Sequence, residues 1–155
     1  MKKIGGIALI VIFIDQMIKY LFLNQMEIGE SVVLISHFFS FTLVKNTGVA
    51  FSLLSDYPFL IIIISITIMI GMYFMLIKNH KLQLLHSISY GLLYGGIIGN
   101  LLDRFFQKGV VDYLDFQFFG YDFPIFNLAD ICVVCGAICM LILIAKEDES
   151  CKSIS

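Results

Sequence analysis

Phe59-Leu60-Ile61-Ile62-Ile63-Ile64-Ser65-Ile66-Thr67-Ile68-Met69-Ile70, continuing through Gly71 to Ile77, decides the architecture. The stretch holds no Asp, Glu, Lys, Arg or His. At about 1.5 Å per helical residue it is long enough to cross the roughly 30 Å hydrocarbon core of a bilayer. Working outward, residues 4–23, 82–102 and 126–145 form three further apolar runs of span length. The composition agrees: 59% of the 155 residues are hydrophobic, only 14% are charged, and mean hydropathy is +0.94. Soluble domains lie far below this, so a soluble fold is excluded. Two prolines and four cysteines exclude a collagen-like chain and a disulfide-stapled scaffold. A net charge of −2, with no Lys/Arg run, leaves no field for nucleic acid.

The expectation is an all-α polytopic membrane protein, one integral domain over residues 1–155, with four transmembrane helices. Lys2, Lys3, Lys78, Lys81, Lys146 and Lys152 fall on one side of the spans, and Lys45, Arg104 and Lys108 on the other. The excess of positive charge places both termini in the cytoplasm. Met1-Lys2-Lys3 could open a secretory signal peptide, but the following run carries Asp15 and Lys19 and has no small-x-small cleavage site, so it reads as an uncleaved span. Inner residues 78–81 tie spans two and three into a hairpin.

Outer loops 24–58 and 103–125 are long enough to be functional. Residues 31–51 and Val110-Val111-Asp112-Tyr113-Leu114-Asp115-Phe116 have strand composition. A small extracytoplasmic sheet is expected, exposing Phe38, Phe39, Phe41, Tyr113, Phe118 and Phe119 at headgroup level.

Ionisable residues inside spans are functional candidates by default. Asp15 and Lys19 are spaced i,i+4 and share a helix face, either as an ion pair pinning span one or as groups orienting a site. Asn46-Thr47-Gly48 is a turn or part of a site. Gly91, Gly95 and Gly99 repeat every four residues, a spacing that lets helices approach closely. Asn100, Asp103 and Arg104 follow, and Arg104 has the planar fork that grips a carbonyl or carboxylate. Asp112 lies among apolar strand residues and Asp130 just inside the fourth span, so each faces a desolvation cost. Brought together, two carboxyls share one proton and supply an acid and a base at one pH; held apart, they are inert interface groups.

His37, His80 and His86 form no His-Glu-x-x-His pattern and lie on both sides of the spans, which disfavours a zinc protease. Cys132, Cys135 and Cys139, at i, i+3 and i+7, read as small hydrophobes in helix packing rather than a redox pair, with Cys151 alone in the tail.

Asp15-Gln16-x-x-Lys19, Lys45-Asn46-Thr47-Gly48-Val49-Ala50-Phe51, Gly99-Asn100-x-x-Asp103-Arg104, Val110-Val111-Asp112 and Phe126-Asn127-x-Ala129-Asp130, in that order, resemble the lipoprotein signal peptidase family, bacterial signal peptidase II. The resemblance covers nearly the whole chain. It implies a metal-free, cofactor-free aspartic endopeptidase of the bacterial cell membrane that cuts prolipoproteins before their diacylglyceryl-modified cysteine. It implies a four-helix fold with an outer β-cradle and an active site toward the outer face. Carried over residue by residue, the catalytic dyad is Asp112 and Asp130. Asn46, Gly48, Asn100, Asp103, Arg104, Asn127 and Ala129 surround substrate and dyad, and Asp15 and Lys19 support them. The expected partners are the lipidated prolipoprotein and membrane lipid, the expected state is a monomer, and a globomycin-type cyclic peptide is expected to block the site. An ion-coupled carrier using Asp15, Lys19 and Asp130 is disfavoured by the clustering of polar groups toward one face. A membrane adaptor docking through its sheet is the other rival, and a presenilin-type protease lacks its Gly-x-Gly-Asp pattern here.

Overall fold

The structure is a computed structural model that describes residues 1–48, 54–78, 84–118 and 120–152. Four long helices and a four-stranded sheet alternate as α1 (Lys2–Gln25), β1 (Ser31–Ile35), β2 (Phe39–Asn46), α2 (Pro58–Lys78), α3 (Leu84–Phe106), β3 (Val110–Phe118), β4 (Tyr121–Asp122) and α4 (Leu128–Lys152). Helices α1, α2 and α4 are long and apolar enough to cross a membrane. Their outward faces carry large apolar side chains, such as Leu9 and Phe13 on α1 and Ile63 and Phe74 on α2. In lipid that is the stable arrangement, because polar groups are then satisfied in the protein interior.

Helix α1 shows the inversion in one stripe. Its buried residues are Ile4, Ala8, Val11, Asp15 and Lys19, spaced three or four apart, so apolar packing at one end of a single face gives way to charge at the other. Helix α3 packs against α1 on one side and α4 on the other. Its glycine stripe serves that contact: a Cβ on Gly91 would lie 2.6 Å from Ile7, and one on Gly95 2.6 Å from Val11. The expected packing role of the stripe is therefore observed.

The sheet is antiparallel in the order β1-β2-β3-β4. Its long central pair sets Lys45 opposite Val111 and Val44 opposite Asp112. A ring cluster of Phe38, Phe39, Phe116, Phe118, Phe123 and Phe126 runs along one part of it.

Four expectations need correction. Helix α3 continues beyond residue 102 to Phe106, so Asp103 and Arg104 sit on a helix and not in a loop. Helix α4 starts at Leu128, because Phe126 is taken up by a β-bridge to Leu114. That helix also runs past residue 145 to Lys152. Tyr113 is not exposed at headgroup level but is 3% exposed, stacked on Phe22 of α1 at 4.3 Å. Phe119, Val49, Ala50, Phe51, His80, Lys81 and the start of the third run at Leu82 lie outside the described residues.

Candidate active site

The site grows from the N-terminus of α4, whose first N–H groups have no partner within the helix. Each finds one elsewhere. Leu128 N–H donates to Tyr113 Oη at 3.2 Å, Ala129 N–H to Asp15 Oδ1 at 3.1 Å, and Asp130 N–H to Asn127 Oδ1 at 3.0 Å. Asn127 N–H returns a bond to Asp130 Oδ2 at 3.1 Å. Asn127 is thus the N-cap and Asp130 the third helical residue of a reciprocal capping box. Asp15 and Asp130 both lie where the helix dipole favours negative charge.

The same Asn127 turns its amide to β3. Its Nδ2 donates to Asp112 Oδ1 at 2.6 Å and lies within 3.3 Å of Val111 O and 3.2 Å of Asn100 Oδ1. One fully buried asparagine therefore holds both candidate dyad carboxyls. Each has one more amide partner. Asn46 Nδ2 donates to Asp112 Oδ2 at 3.0 Å, and Asn100 Nδ2 donates to Asp130 Oδ1 at 2.7 Å. Burial, followed by the nearby Asp130 carboxylate, pushes the Asp112 carboxyl up to about 7 despite the two amides and Lys19, which act the other way.

Behind the carboxyls lies a buried ionic cluster. Lys19 Nζ meets Asp15 Oδ2 at 2.8 Å, Asp103 Oδ2 at 2.7 Å and Asn100 Oδ1 at 3.0 Å, which uses the three donors of an ammonium. Gln16 Nε2 donates to Asp103 Oδ1 at 2.9 Å, and Val111 N–H to Asp103 Oδ2 at 3.1 Å. The structural ion pair expected of Asp15 and Lys19 is present, and it also contacts the site: Asp15 through Ala129 N–H, Lys19 through Asn100. Arg104 spans Gly48 O at 2.9 Å and Asn100 O at 3.2 Å, while its buried Nε has no protein partner. Gly48 N–H in turn bonds Asn46 Oδ1 at 2.9 Å, so Asn46 both closes a turn and reaches Asp112.

All the candidate residues named from sequence thus converge: Asp15, Lys19, Asn46, Gly48, Asn100, Asp103, Arg104, Asp112, Asn127, Ala129 and Asp130. Sequence reasoning missed Gln16 and Tyr113 as members. Gln16 flanks Asp15 in a polar pair inside a span, a signal that was present. Of the cysteines, Cys132 is buried, Cys139 half-buried and Cys135 exposed, and all three are free thiols.

Fold and site together define a helical membrane protein whose interior polar groups gather around two carboxyls at a helix end. Residues 7–146 match the family profile described as signal peptidase (SPase) II. Lipoprotein signal peptidases of Staphylococcus aureus, strains JH9 and Newman, are each 38% identical over 146 residues, covering 94% of this chain and 90% of theirs. Two solved bacterial membrane enzyme structures superpose on it. One has a TM-score of 0.87 and 36% identity over 97% of this chain and 92% of the other; the second has 0.82 and 37% over 93% of each. The chain belongs to the signal peptidase II family.

Proposed function

We propose that this protein is a membrane aspartic endopeptidase that removes the signal peptide of prolipoproteins by cutting before the diacylglyceryl-modified cysteine, with Asp112 and Asp130 as its catalytic pair. The observation that carries the reading is the single Asn127 bonding both carboxyls, at 2.6 Å to Asp112 and 3.1 Å from its N–H to Asp130. Family membership and the named lipoprotein signal peptidases supply the substrate class.

The asymmetry of the pair supports a division of roles. Asp130 sits at a helix N-terminus and accepts a backbone N–H from Asn127 and an amide N–H from Asn100. It is the base that takes a proton from the attacking water. Asp112, pushed up to about 7, keeps its proton and donates it to the scissile carbonyl oxygen as the water oxygen bonds to the carbonyl carbon. Collapse of the resulting gem-diol returns a hydroxyl proton to Asp112, passes the proton on Asp130 to the departing amine and breaks the C–N bond. The fork of Arg104 and the asparagine amides hold peptide groups of the unwound substrate, whose freed N–H and C=O otherwise go unsatisfied in lipid. Helix α3 is the fourth span, both termini are cytoplasmic, and the sheet lies on the outer surface with the acyl chains packed between it and the helices. The enzyme acts as a monomer and is blocked by globomycin-type peptides.

The test is cleavage of one prolipoprotein peptide, with and without the diacylglyceryl group, by the purified protein and its Asp112→Asn and Asp130→Asn variants. Cleavage only before the lipidated cysteine, absent in both folded variants, is expected. Cleavage by either variant overturns the pair, and an inactive, well-folded wild type overturns the function.

A further inference from the structure

Tyr113 lies outside the cluster that sequence singled out, yet its contacts lead to both carboxyls. It follows Asp112 on β3, and its ring is stacked on Phe22 of α1 at 4.3 Å with 15° between planes. Its hydroxyl oxygen accepts the Leu128 N–H at 3.2 Å. Leu128 is the first residue of α4, directly after the cap Asn127 and two before Asp130. The backbone reinforces this seam: Tyr113 N–H and Leu114 N–H both donate to Phe126 O, at 3.1 and 2.8 Å, and Phe126 N–H donates to Leu114 O at 3.1 Å. Of the four bonds, only the one from Tyr113 Oη reaches into the helix itself.

We propose that Tyr113 is a positioning residue: its hydroxyl ties the first turn of α4, which carries Asp130, to the strand that carries Asp112, and so fixes the spacing of the two carboxyls. This rests on the reading of those aspartates as the catalytic pair. The stack on Phe22 clamps the ring from α1, so the oxygen is held by two elements while it holds a third. Were the oxygen removed, the Leu128 N–H would be a half-buried donor without its present partner, and the first turn would shift to satisfy it. Burial, with the Asp15, Asp130 and Asp112 carboxylates, pushes the phenol up to about 12, so the tie does not change state over any working pH.

Tyr113→Phe keeps the ring and its stack and removes only the acceptor. Leu128→Pro removes the donor instead, at the first helical position, where proline is well tolerated. Two readouts are made on the full-length protein in lipid: hydrogen exchange of the segment 126–131, and steady-state cleavage across pH. The expected result for Tyr113→Phe is faster exchange in that segment, kcat lower by about tenfold to a hundredfold with KM within about twofold, and a displaced alkaline limb of the pH profile. Joining Leu128→Pro to Tyr113→Phe is expected to lower kcat no further, because both remove one bond. Unchanged exchange in Tyr113→Phe overturns the proposal whether or not the protein cleaves prolipoprotein, which separates its failure from failure of the proposed function. Wild-type kcat and pH profile in Tyr113→Phe, or full additivity of the two variants, overturn it as well.

Discussion

Asn127 and Asp130 bond each other twice, side chain to backbone in both directions, at 3.0 and 3.1 Å. A helix cap is ordinarily a stability device, but here one member of the box is also a candidate catalytic carboxyl and the other touches its partner, Asp112. The two roles separate by mutation. Asn127→Ser leaves an oxygen to cap Asp130 N–H and removes the amide from Asp112. It is expected to hold thermal stability near wild type while cleavage falls by at least about a hundredfold. Asn127→Ala loses the cap as well and is expected to cost about 1 kcal/mol more. Paired melting and peptide-cleavage measurements decide; equal melting temperatures for the two variants would remove the cap from the account.

The pH dependence follows from Asp112. Its folded carboxyl, at about 7, lies well above the ordinary 3.8 because of burial and then Asp130. In the proposed roles Asp112 holds its proton, so the alkaline limb of kcat/KM is expected to fall tenfold per unit above about pH 7. Stability has the same sign: the native state binds this proton more tightly than the unfolded chain. Its contribution is fully present below 3.8 and is lost as pH rises through about 7. A cleavage profile that rises between about pH 7 and pH 9 would assign the proton elsewhere.

Much of this was legible because lipid imposes a simple code. The α2 run has no charge to interrupt it, so its bounds come within one residue at each end. Read from sequence, the third run ends at residue 102, because Asp103 and Arg104 look like the start of a loop. Their helical continuation depends on Lys19 of α1 and Gly48 after β2, tertiary partners that no local pattern shows. Tyr113 failed for the same reason: strand alternation gives its side but not the Phe22 ring that covers it. The site residues were readable as residue types in ordered blocks. That Asn127 joins the two carboxyls was not, since it requires β3 to lie against the start of α4.

Lys19 forms ion pairs with both Asp15 and Asp103, with the lysine side chain 2% exposed and those of the aspartates 0% and 2%. Breaking a buried ion cluster from one side leaves uncompensated charge, which costs about 3–5 kcal/mol. Lys19→Met is therefore expected to inactivate at a much lower temperature than wild type. Adding Asp103→Asn removes one of the stranded carboxylates and is expected to recover part of the loss. Thermal inactivation of the single and double variants in one detergent checks this; a double variant less stable than the single would contradict the electrostatic account.

Two glycines separate helix packing near the site from packing elsewhere. A Cβ on Gly96 would overlap the carbonyl oxygen of Ala129 and lie 2.7 Å from Val133 Cγ2. The oxygen belongs to the backbone of the capping turn and cannot move unless α4 moves with it. Gly96→Ala is expected to cost about 1–3 kcal/mol, as overpacking does. It is also expected to lower kcat by about tenfold or more, because the displaced turn carries Asp130 away from Asn100. Gly71 in α2 is the control: nothing lies within 4 Å of a Cβ built there. Gly71→Ala is expected to gain up to about 1 kcal/mol from helix preference and to leave cleavage unchanged. Melting temperature and kcat for both variants form the test. A Gly96→Ala enzyme that melts lower yet turns over at the wild-type rate would show that the α3–α4 contact sets stability without setting the position of Asp130.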